Sequence, residues 1–192
     1  VKVCGYEESN YSDSFFDVAV GNVPFGNFQV YDRQYNKLHF MIHDYFFAKT
    51  VDQLRTGGIM AFITSSGTMD KENSTARKYL AERCDLLGAI RLPNNAFKAN
   101  AGTEVTSDII FLKKRETLNP NIESWVDVST DHNGLTYNSY FVDHPEMVLG
   151  TMKEVSGQFG MTLTCEPDTE TSLEEQLRCA IKNINGSYEE TV

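Results

Sequence analysis

The stretch LHFMIHDYFFAKTVDQLRTGGIMAFITS, residues 38–65, decides the fold class of this chain. Apolar residues recur at helical spacing through residues 38–54 and predict a helix that is apolar over most of its circumference. Arg55 and the run Thr56, Gly57, Gly58 predict the end of that helix, and the apolar run 59–65 predicts a buried strand. A helix of this kind packs against a sheet, so the stretch predicts an α/β fold.

Short apolar runs on both sides extend this pattern. Residues 1–4 and 15–20 predict two strands before the helix, and residues 86–92 and 107–114 predict two strands after it. Ser74 predicts the N-cap of a second helix that reaches about Arg83. Because helices link the strands, we expect parallel strands with right-handed crossovers and a ligand site beyond their carboxyl ends.

Composition excludes several classes of protein. The 192 residues are 41% hydrophobic and 23% charged, which is typical of a globular domain. The sequence has no apolar run of about 18 residues and no signal segment, so we expect a cytoplasmic protein without a membrane partner. The four cysteines are far apart in sequence and predict reduced thiols. The opening VKVCGY, which lacks an initial Met, is typical of a piece of a longer protein.

Two further features limit the ligands that we expect. His39 and His43 lie four residues apart and would share one helix face, but no third ligand is nearby, so we predict no metal site. The net charge of −10 disfavours unaided binding to duplex DNA, since such affinity comes mainly from Lys and Arg. If nucleic acid is the substrate, a basic surface must come from elsewhere.

An unusual turn follows the strand predicted at residues 15–20. Its residues Asn22, Val23, Pro24 and Phe25 resemble the (Asp/Asn/Ser)-Pro-Pro-(Tyr/Phe/Trp) signature of DNA amino-methyltransferases. The stretch LLGAIRLPNNAFKANAGTEVTSDIIFLKK, residues 86–114, resembles the strand–loop–strand that closes the sheet of N6-adenine enzymes, including modification subunits of type I restriction systems. GNVPFGNF and NSYFVDHPEMVLG are most similar to large methylase–helicase proteins of conjugative elements and phages.

The resemblance covers residues 1–115 and implies the fold. We expect the C-terminal half of a Rossmann-like, S-adenosylmethionine-dependent methyltransferase sheet with a final antiparallel strand. The methylase-like sequence pattern ends near residue 115. Residues 116–192 are therefore expected to form a small α+β appendage, or a linker to a further domain such as a helicase. Ser172 there predicts the cap of a helix over residues 173–184.

The resemblance also implies a role for each residue of the turn. The Asn22 side-chain oxygen and the Val23 carbonyl would accept the two N–H groups of an adenine amine. Pro24 would fix the backbone, and Phe25 would stack on the flipped-out base. Phe97 would supply a second aromatic wall. Val23 replaces the first proline of the signature, which keeps the carbonyl but adds an N–H.

The implied methyl donor is S-adenosylmethionine, and the implied partner is DNA. The glycine-rich loop that holds the donor's methionine part would lie upstream of Val1. Tyr6 and Glu7 would cover only the adenine edge of the cofactor. We therefore expect the full-length parent to methylate DNA, and the isolated chain to be inactive and to bind the donor weakly.

Two other readings stay open at this point. The same turn type occurs in protein-glutamine and cytosine-N4 methyltransferases. Val23 and the missing glycine-rich loop are also compatible with a non-catalytic DNA-binding or assembly module that keeps a relic methylase pocket.

Overall fold

A four-stranded mixed sheet forms the centre of the molecule. The computed structural model describes residues 1–98, 104–157 and 160–187. The strands are β1 (Phe16–Asn22), β2 (Leu54–Ser65), β3 (Cys84–Leu92) and β4 (Ser107–Lys114), in the order β1-β2-β4-β3. β1 is parallel to β2, and β4 is antiparallel to both of its neighbours. The predicted α/β class and final antiparallel strand are confirmed, and the helix-linked parallel strands are those of part of a Rossmann-like sheet.

Helices α1 (Ile42–Gln53), α2 (Gly67–Asp70) and α3 (Thr75–Arg83) connect these strands. α1 buries nine of its twelve residues, as its apolar circumference predicts. It begins later than predicted because His39 has a left-handed φ of 51°, which a continuous helix does not accommodate. It ends at Gln53, and β2 starts at the next residue, so Gly57 with φ 74° lies inside the strand.

The strand predicted at residues 1–4 is wrong. Val1 and Val3 are exposed, and the segment has no strand partner among the described residues. The first regular element is instead a 3₁₀ helix at Tyr6–Glu8. An alternating apolar pattern forms a strand only where a neighbouring strand satisfies its backbone groups, and β1 has its described neighbour on the β2 side.

In its described residues, the C-terminal segment contains two hairpins and two α-helices. β5 (Val128–Thr130) pairs with β6 (Thr136–Asn138), and β7 (Thr151–Gly157) pairs with β8 (Gly160–Glu166). α4 (Ser139–Asp143) follows β6 directly because the Asn138 side chain accepts a hydrogen bond from the Tyr140 N–H and caps it. In α5 (Leu173–Ala180) the predicted Ser172 cap is confirmed, since its side chain accepts from the Glu175 N–H.

One hydrophobic cluster joins the sheet to the C-terminal segment. Trp125, Phe141 and Cys165 belong to the same buried cluster as Met60 and Ile110 of the sheet. The domain boundary between residues 115 and 116 stays a prediction. In the structure, side chains from both sides of it pack in one hydrophobic cluster.

Gly88 shows how closely the C-terminal segment approaches the sheet. It has a φ of 151°, and a Cβ there would lie 2.7 Å from Ile184 Cδ1. The Asn185 N–H donates to the Leu87 carbonyl at 2.9 Å beside it. A bare backbone at residue 88 therefore lets the segment that follows α5 dock against β3.

The described cysteines and acidic residues form neither disulfides nor a metal site. All four cysteines are free; Cys84 and Cys165 are buried, and burial raises the pKa of each of these two thiols to about 12. Within residues 1–98, 104–157 and 160–187, no group of three or more His, Cys, Asp or Glu could hold a metal ion. In the same ranges, no helix is long and apolar enough to cross a bilayer.

Candidate functional site

The predicted turn lies at the carboxyl end of β1, where ligands of α/β sheets bind. Asn22 is the last residue of β1, and its side chain is exposed and has no hydrogen-bond partner among the described residues. An amide in this position can offer both its oxygen and its NH₂ group to a ligand. Pro24 is exposed as well, and the Phe25 side chain is 46% exposed.

Val23 anchors the turn to the sheet. Its side chain is only 2% exposed and belongs to the main hydrophobic cluster. Its backbone N–H donates to the Ile63 carbonyl of β2 at 3.0 Å. The N–H that distinguishes Val23 from a proline is therefore part of the sheet pairing, and it holds the backbone that follows Asn22 in a fixed direction.

A cavity of about 360 Å³ opens beside the end of β1. Asn22 and Val23 line it together with Tyr6, so the structure brings together one predicted cofactor residue and two predicted catalytic residues. The rest of its lining comes from β1, from α1, from the segment before β1 and from β2: Tyr11, Phe16, Val18, Ala19, Val20, Gly21, Phe46, Thr50, Gln53 and Phe62. These walls carry no carboxylate, Lys, Arg or His, so the cavity suits an uncharged, flat ligand.

Tyr6 is fixed by hydrogen bonds to α1. Its hydroxyl donates to Gln53 Oε1 at 2.8 Å and lies 2.8 Å from Thr50 Oγ1, while its ring lies 4.7 Å from that of Phe46, centroid to centroid. Burial raises the pKa of Tyr6, so the hydroxyl is neutral. Because the Tyr6 hydroxyl is already hydrogen-bonded within the protein, the part of Tyr6 that is available to a ligand in the cavity is its aromatic ring.

Lys49, which sequence analysis missed, holds the segment that carries Tyr6 and Glu7. The Lys49 ammonium is buried and donates to the Tyr6 carbonyl at 2.8 Å, to the Glu7 carbonyl at 3.3 Å and to Asp32 Oδ2 at 3.0 Å. Burial acts to raise the pKa of Asp32, but hydrogen bonds from Tyr45 and Lys49 outweigh it and hold that pKa below its usual range. The available signal was a lysine near the middle of a helix that buries most of its residues.

Glu7 lies apart from Asn22. It lines a second cavity, of about 370 Å³, which contains Asp32 and Lys49 but none of the turn residues 22–25. Tyr6 and Glu7, which were predicted together, thus contribute to different cavities. Their joint role at the edge of a cofactor stays a prediction.

Phe97 is also separated from the turn. It follows β3 and is half-buried, and it packs against the main hydrophobic cluster. Because β2 and β4 lie between β1 and β3, the two strand ends are about 14 Å apart at ordinary strand spacing. The loop that connects β3 to β4 includes residues 99–103, which lie outside the described residues. Phe97 as a second aromatic wall therefore stays a prediction.

The two histidines that the sequence placed on one helix face do not share one. His39 precedes α1, whereas His43 is its second residue. Burial lowers the pKa of His43, so this ring is neutral at neutral pH. Neither histidine lines the cavity beside Asn22.

The arrangement limits the chemistry that the site can perform. The Asn22 amide and the neighbouring backbone can accept hydrogen bonds from a ligand amine, and Phe25 offers an aromatic face. The residues that line the cavity include no Ser–His or Cys–His pair and no ionised acid or base. The site is therefore suited to orienting a ligand that reacts through its own nitrogen rather than to covalent or acid–base catalysis by a side chain.

Sequence comparison finds a methylase family that part of this chain is similar to. Residues 6–97 match the Eco57I restriction-modification methylase family. The matched range contains every residue that the sequence predicted for the site. The resemblance to DNA methyltransferases, which the sequence predicted from the turn at Asn22 and from residues 86–114, is confirmed.

Individual relatives are larger than this chain. The Defense against restriction protein B of Escherichia phage P1 is 34% identical over 121 residues, which is 59% of this chain and 5% of the phage protein. The M protein of the type I restriction enzyme EcoKI is similar in structure, with a TM-score of 0.46 and 20% identity over 59% of this chain and 24% of that chain. A candidate type I modification subunit from Vibrio vulnificus YJ016 gives a TM-score of 0.44 and 14% identity over 84% of this chain and 40% of that chain. The chain thus spans less than half the length of each.

Proposed function

We propose that this chain carries the nucleobase-binding part of a DNA methyltransferase that transfers a methyl group to the N6 amine of a flipped-out adenine. The observation that carries the proposal is the unpartnered Asn22 amide at the end of β1, next to the anchored backbone of Val23. The family match over residues 6–97 supports it.

The turn would act by orienting the adenine amine. That amine is a poor nucleophile because its lone pair is delocalised into the ring. When the Asn22 oxygen and the Val23 carbonyl each accept one N–H, the nitrogen can become pyramidal and direct its lone pair at a methyl group. These hydrogen bonds strengthen as positive charge develops on the nitrogen, so they stabilise the transition state more than the ground state.

Val23 and Pro24 would keep the acceptors in place. The hydrogen bond from the Val23 N–H to the Ile63 carbonyl fixes the backbone on the N-terminal side of the acceptor carbonyl. Pro24 restricts the backbone on the other side, since its ring locks φ. Preorganised acceptors need no rearrangement during the reaction, which is the main source of such catalysis.

Phe25 would hold the base outside the duplex. Its ring is 46% exposed, so a purine can stack on it without displacing core side chains. Stacking of a base on an aromatic side chain stabilises the complex by about 1–3 kcal/mol. As the amine nitrogen bonds to the methyl carbon, that carbon's bond to the donor's sulfur breaks, and the nitrogen releases one proton to solvent.

The residues present fit only part of the expected donor. The cavity beside Tyr6 suits an uncharged aromatic ring, but its lining offers no charged partner to the amino and carboxyl groups of a methionine moiety. S-adenosylmethionine, when bound, supplies an electrophilic methyl group on a sulfonium. We infer that the rest of its binding site comes from other parts of the full-length parent.

The test is methyl transfer to DNA by the full-length parent and its Asn22→Ala variant. We expect a rate loss of about 10²–10³ with little change in DNA affinity, because Asn22 would act on the chemical step. The fold should be unaffected, since the Asn22 side chain has no partner among the described residues. Asn27→Ala, at an exposed asparagine in the same loop, is the matched control and should keep the wild-type rate.

Each outcome separates the candidate functions. Mass spectrometry of the hydrolysed DNA distinguishes N6-methyladenine from N4-methylcytosine, and labelled protein would indicate a glutamine methyltransferase. Wild-type rates in Asn22→Ala would contradict the assignment of the turn. DNA binding without any methyl transfer in the parent would favour the non-catalytic reading.

A further inference from the structure

A second exposed phenylalanine lies in the loop that follows the turn. Phe28 is 54% exposed, more than Phe25 at 46%. Phe28 lies outside the motif at residues 22–25. An exposed phenyl ring contributes little to folding, because burying such a ring is what stabilises a protein. Exposed aromatic rings are instead enriched where a protein contacts a partner.

The Phe28 backbone is held in place. Its carbonyl accepts a hydrogen bond from the Ile42 N–H at 2.9 Å, which ties the loop to the first residue of α1. The other end of the short segment is tied to β2 through the Val23 N–H. Residues 23–28 therefore form a short bridge between β1 and α1 that is fixed at both ends.

The Phe28 ring packs against the backbone of Gly26. A Cβ on Gly26 would lie 2.7 Å from Phe28 Cε1 and 2.9 Å from Cδ1, so the ring rests against the bare backbone of Gly26. Gly26 directly follows Phe25 in the chain. The absence of a side chain at residue 26 is thus what allows the second ring to lie against the backbone next to the first.

We propose that Phe28 is a second nucleobase-contacting residue, which holds the extruded purine together with Phe25. The proposal rests on the proposed function, since it takes the turn at Asn22 as the site of the amine. Phe28 suits this role better than Phe97, because Phe97 packs against the main cluster and follows a strand two positions beyond β2. The flat face of a purine can stack on a phenyl ring.

The test uses the full-length parent with two DNA substrates, one that carries adenine at the target position for KM and kcat, and one that carries 2-aminopurine there for base extrusion. The fluorescence of 2-aminopurine rises when the base leaves the stack, so it reports extrusion without requiring methyl transfer. We expect Phe28→Ala to raise the KM for DNA by about 5- to 150-fold, the range that corresponds to one lost stacking contact. kcat should stay close to wild type, because Asn22 and Val23 are unchanged. The KM of Phe28→Tyr should stay close to the wild-type value, because tyrosine keeps the aromatic ring.

Two further variants separate a direct contact from a structural effect. Gly26→Ala keeps both rings but displaces Phe28, so it should raise KM and lower the 2-aminopurine signal as Phe28→Ala does. Phe15→Ala removes a phenylalanine that is 61% exposed just before the opposite end of β1, and it should change neither quantity.

The outcomes distinguish this inference from the function on which it rests. A wild-type KM and 2-aminopurine signal in Phe28→Ala, in a parent whose Asn22→Ala variant has lost methyl transfer, would overturn the role of Phe28 alone. A parent that neither extrudes the base nor methylates DNA would overturn both. A loss of kcat in Phe28→Ala at unchanged KM would also contradict a stacking contact.

Discussion

Replacing Arg91 by Met should destabilise the chain strongly, because this side chain is a fully buried cation. Its guanidinium donates to both carboxylate oxygens of Asp108, at 2.9 Å each, and to Asp70 Oδ1 at 2.8 Å. It also lies 4.2 Å from the centroid of the Phe141 ring, which belongs to the C-terminal segment. Arg91 therefore joins β3 and β4 to the segment after residue 115.

The charges of this cluster are set by burial and by one another. The carboxylates of Asp108 and Asp70 outweigh burial and hold the pKa of Arg91 above its usual value. Burial raises the pKa of Asp108, and the charge and hydrogen bonds of Arg91 oppose that rise and favour the ionised carboxylate. Arg91→Met would leave this buried carboxylate without its counter-ion.

The expected magnitude follows from that unpaired charge. Removing one partner of a buried ion pair costs about 3–5 kcal/mol, which is a large share of the roughly 5–15 kcal/mol by which domains are stable. With a urea m-value of about 2 kcal/mol per molar, the unfolding midpoint should fall by about 2 M. Trp125, the single tryptophan, is buried in the cluster that the sheet and the C-terminal segment share, so its fluorescence reports the unfolding of both.

Two comparisons make the result decisive. Arg178→Met removes an exposed i,i+4 pair with Glu174 and should change the free energy of unfolding by less than about 0.5 kcal/mol. The double variant Arg91→Met with Asp108→Leu should recover much of the loss, because apolar residues can replace a buried pair. If Arg91→Met unfolds within about 1 kcal/mol of wild type, the argument from an unpaired buried carboxylate is refuted.

Two more predictions concern the site. Val23→Pro, which restores the family signature, should lower the free energy of unfolding by about 1 kcal/mol and the melting temperature by about 2–4 °C, because it removes the hydrogen bond to Ile63; an unchanged melting temperature would contradict this. Asp32→Asn should be destabilising at pH 7, since it leaves Lys49 without its carboxylate. The pKa of Asp32 lies below its ordinary 3.8, so its stabilising effect is present above that pH and is lost as the pH falls through the lower folded-state value. The difference between wild type and variant in urea unfolding should therefore narrow below about pH 4, and a constant difference from pH 7 to pH 3 would count against the ion pair.

Local patterns in the sequence determined much of this protein. The apolar periodicity of α1, the buried run of β2 and the limits of β4 all follow from residue spacing, because side chains alternate in fixed ways along helices and strands. The turn at Asn22 was recognisable for a similar reason, since its amide, proline and aromatic ring are adjacent in the chain. The strand predicted at residues 1–4 failed because a strand also needs a partner, which local sequence does not specify.

Tertiary structure alone decided how distant residues meet. The insertion of β4 between β2 and β3 separates Phe97 from the turn, and the sequence contains no signal for the order of paired strands. Lys49 and Arg91 look like surface charges in the sequence, yet each is buried against a carboxylate from a distant segment. Burying a charge is tolerated only where an opposite charge and hydrogen bonds converge on it, and that convergence arises from long-range packing rather than from neighbours in the chain.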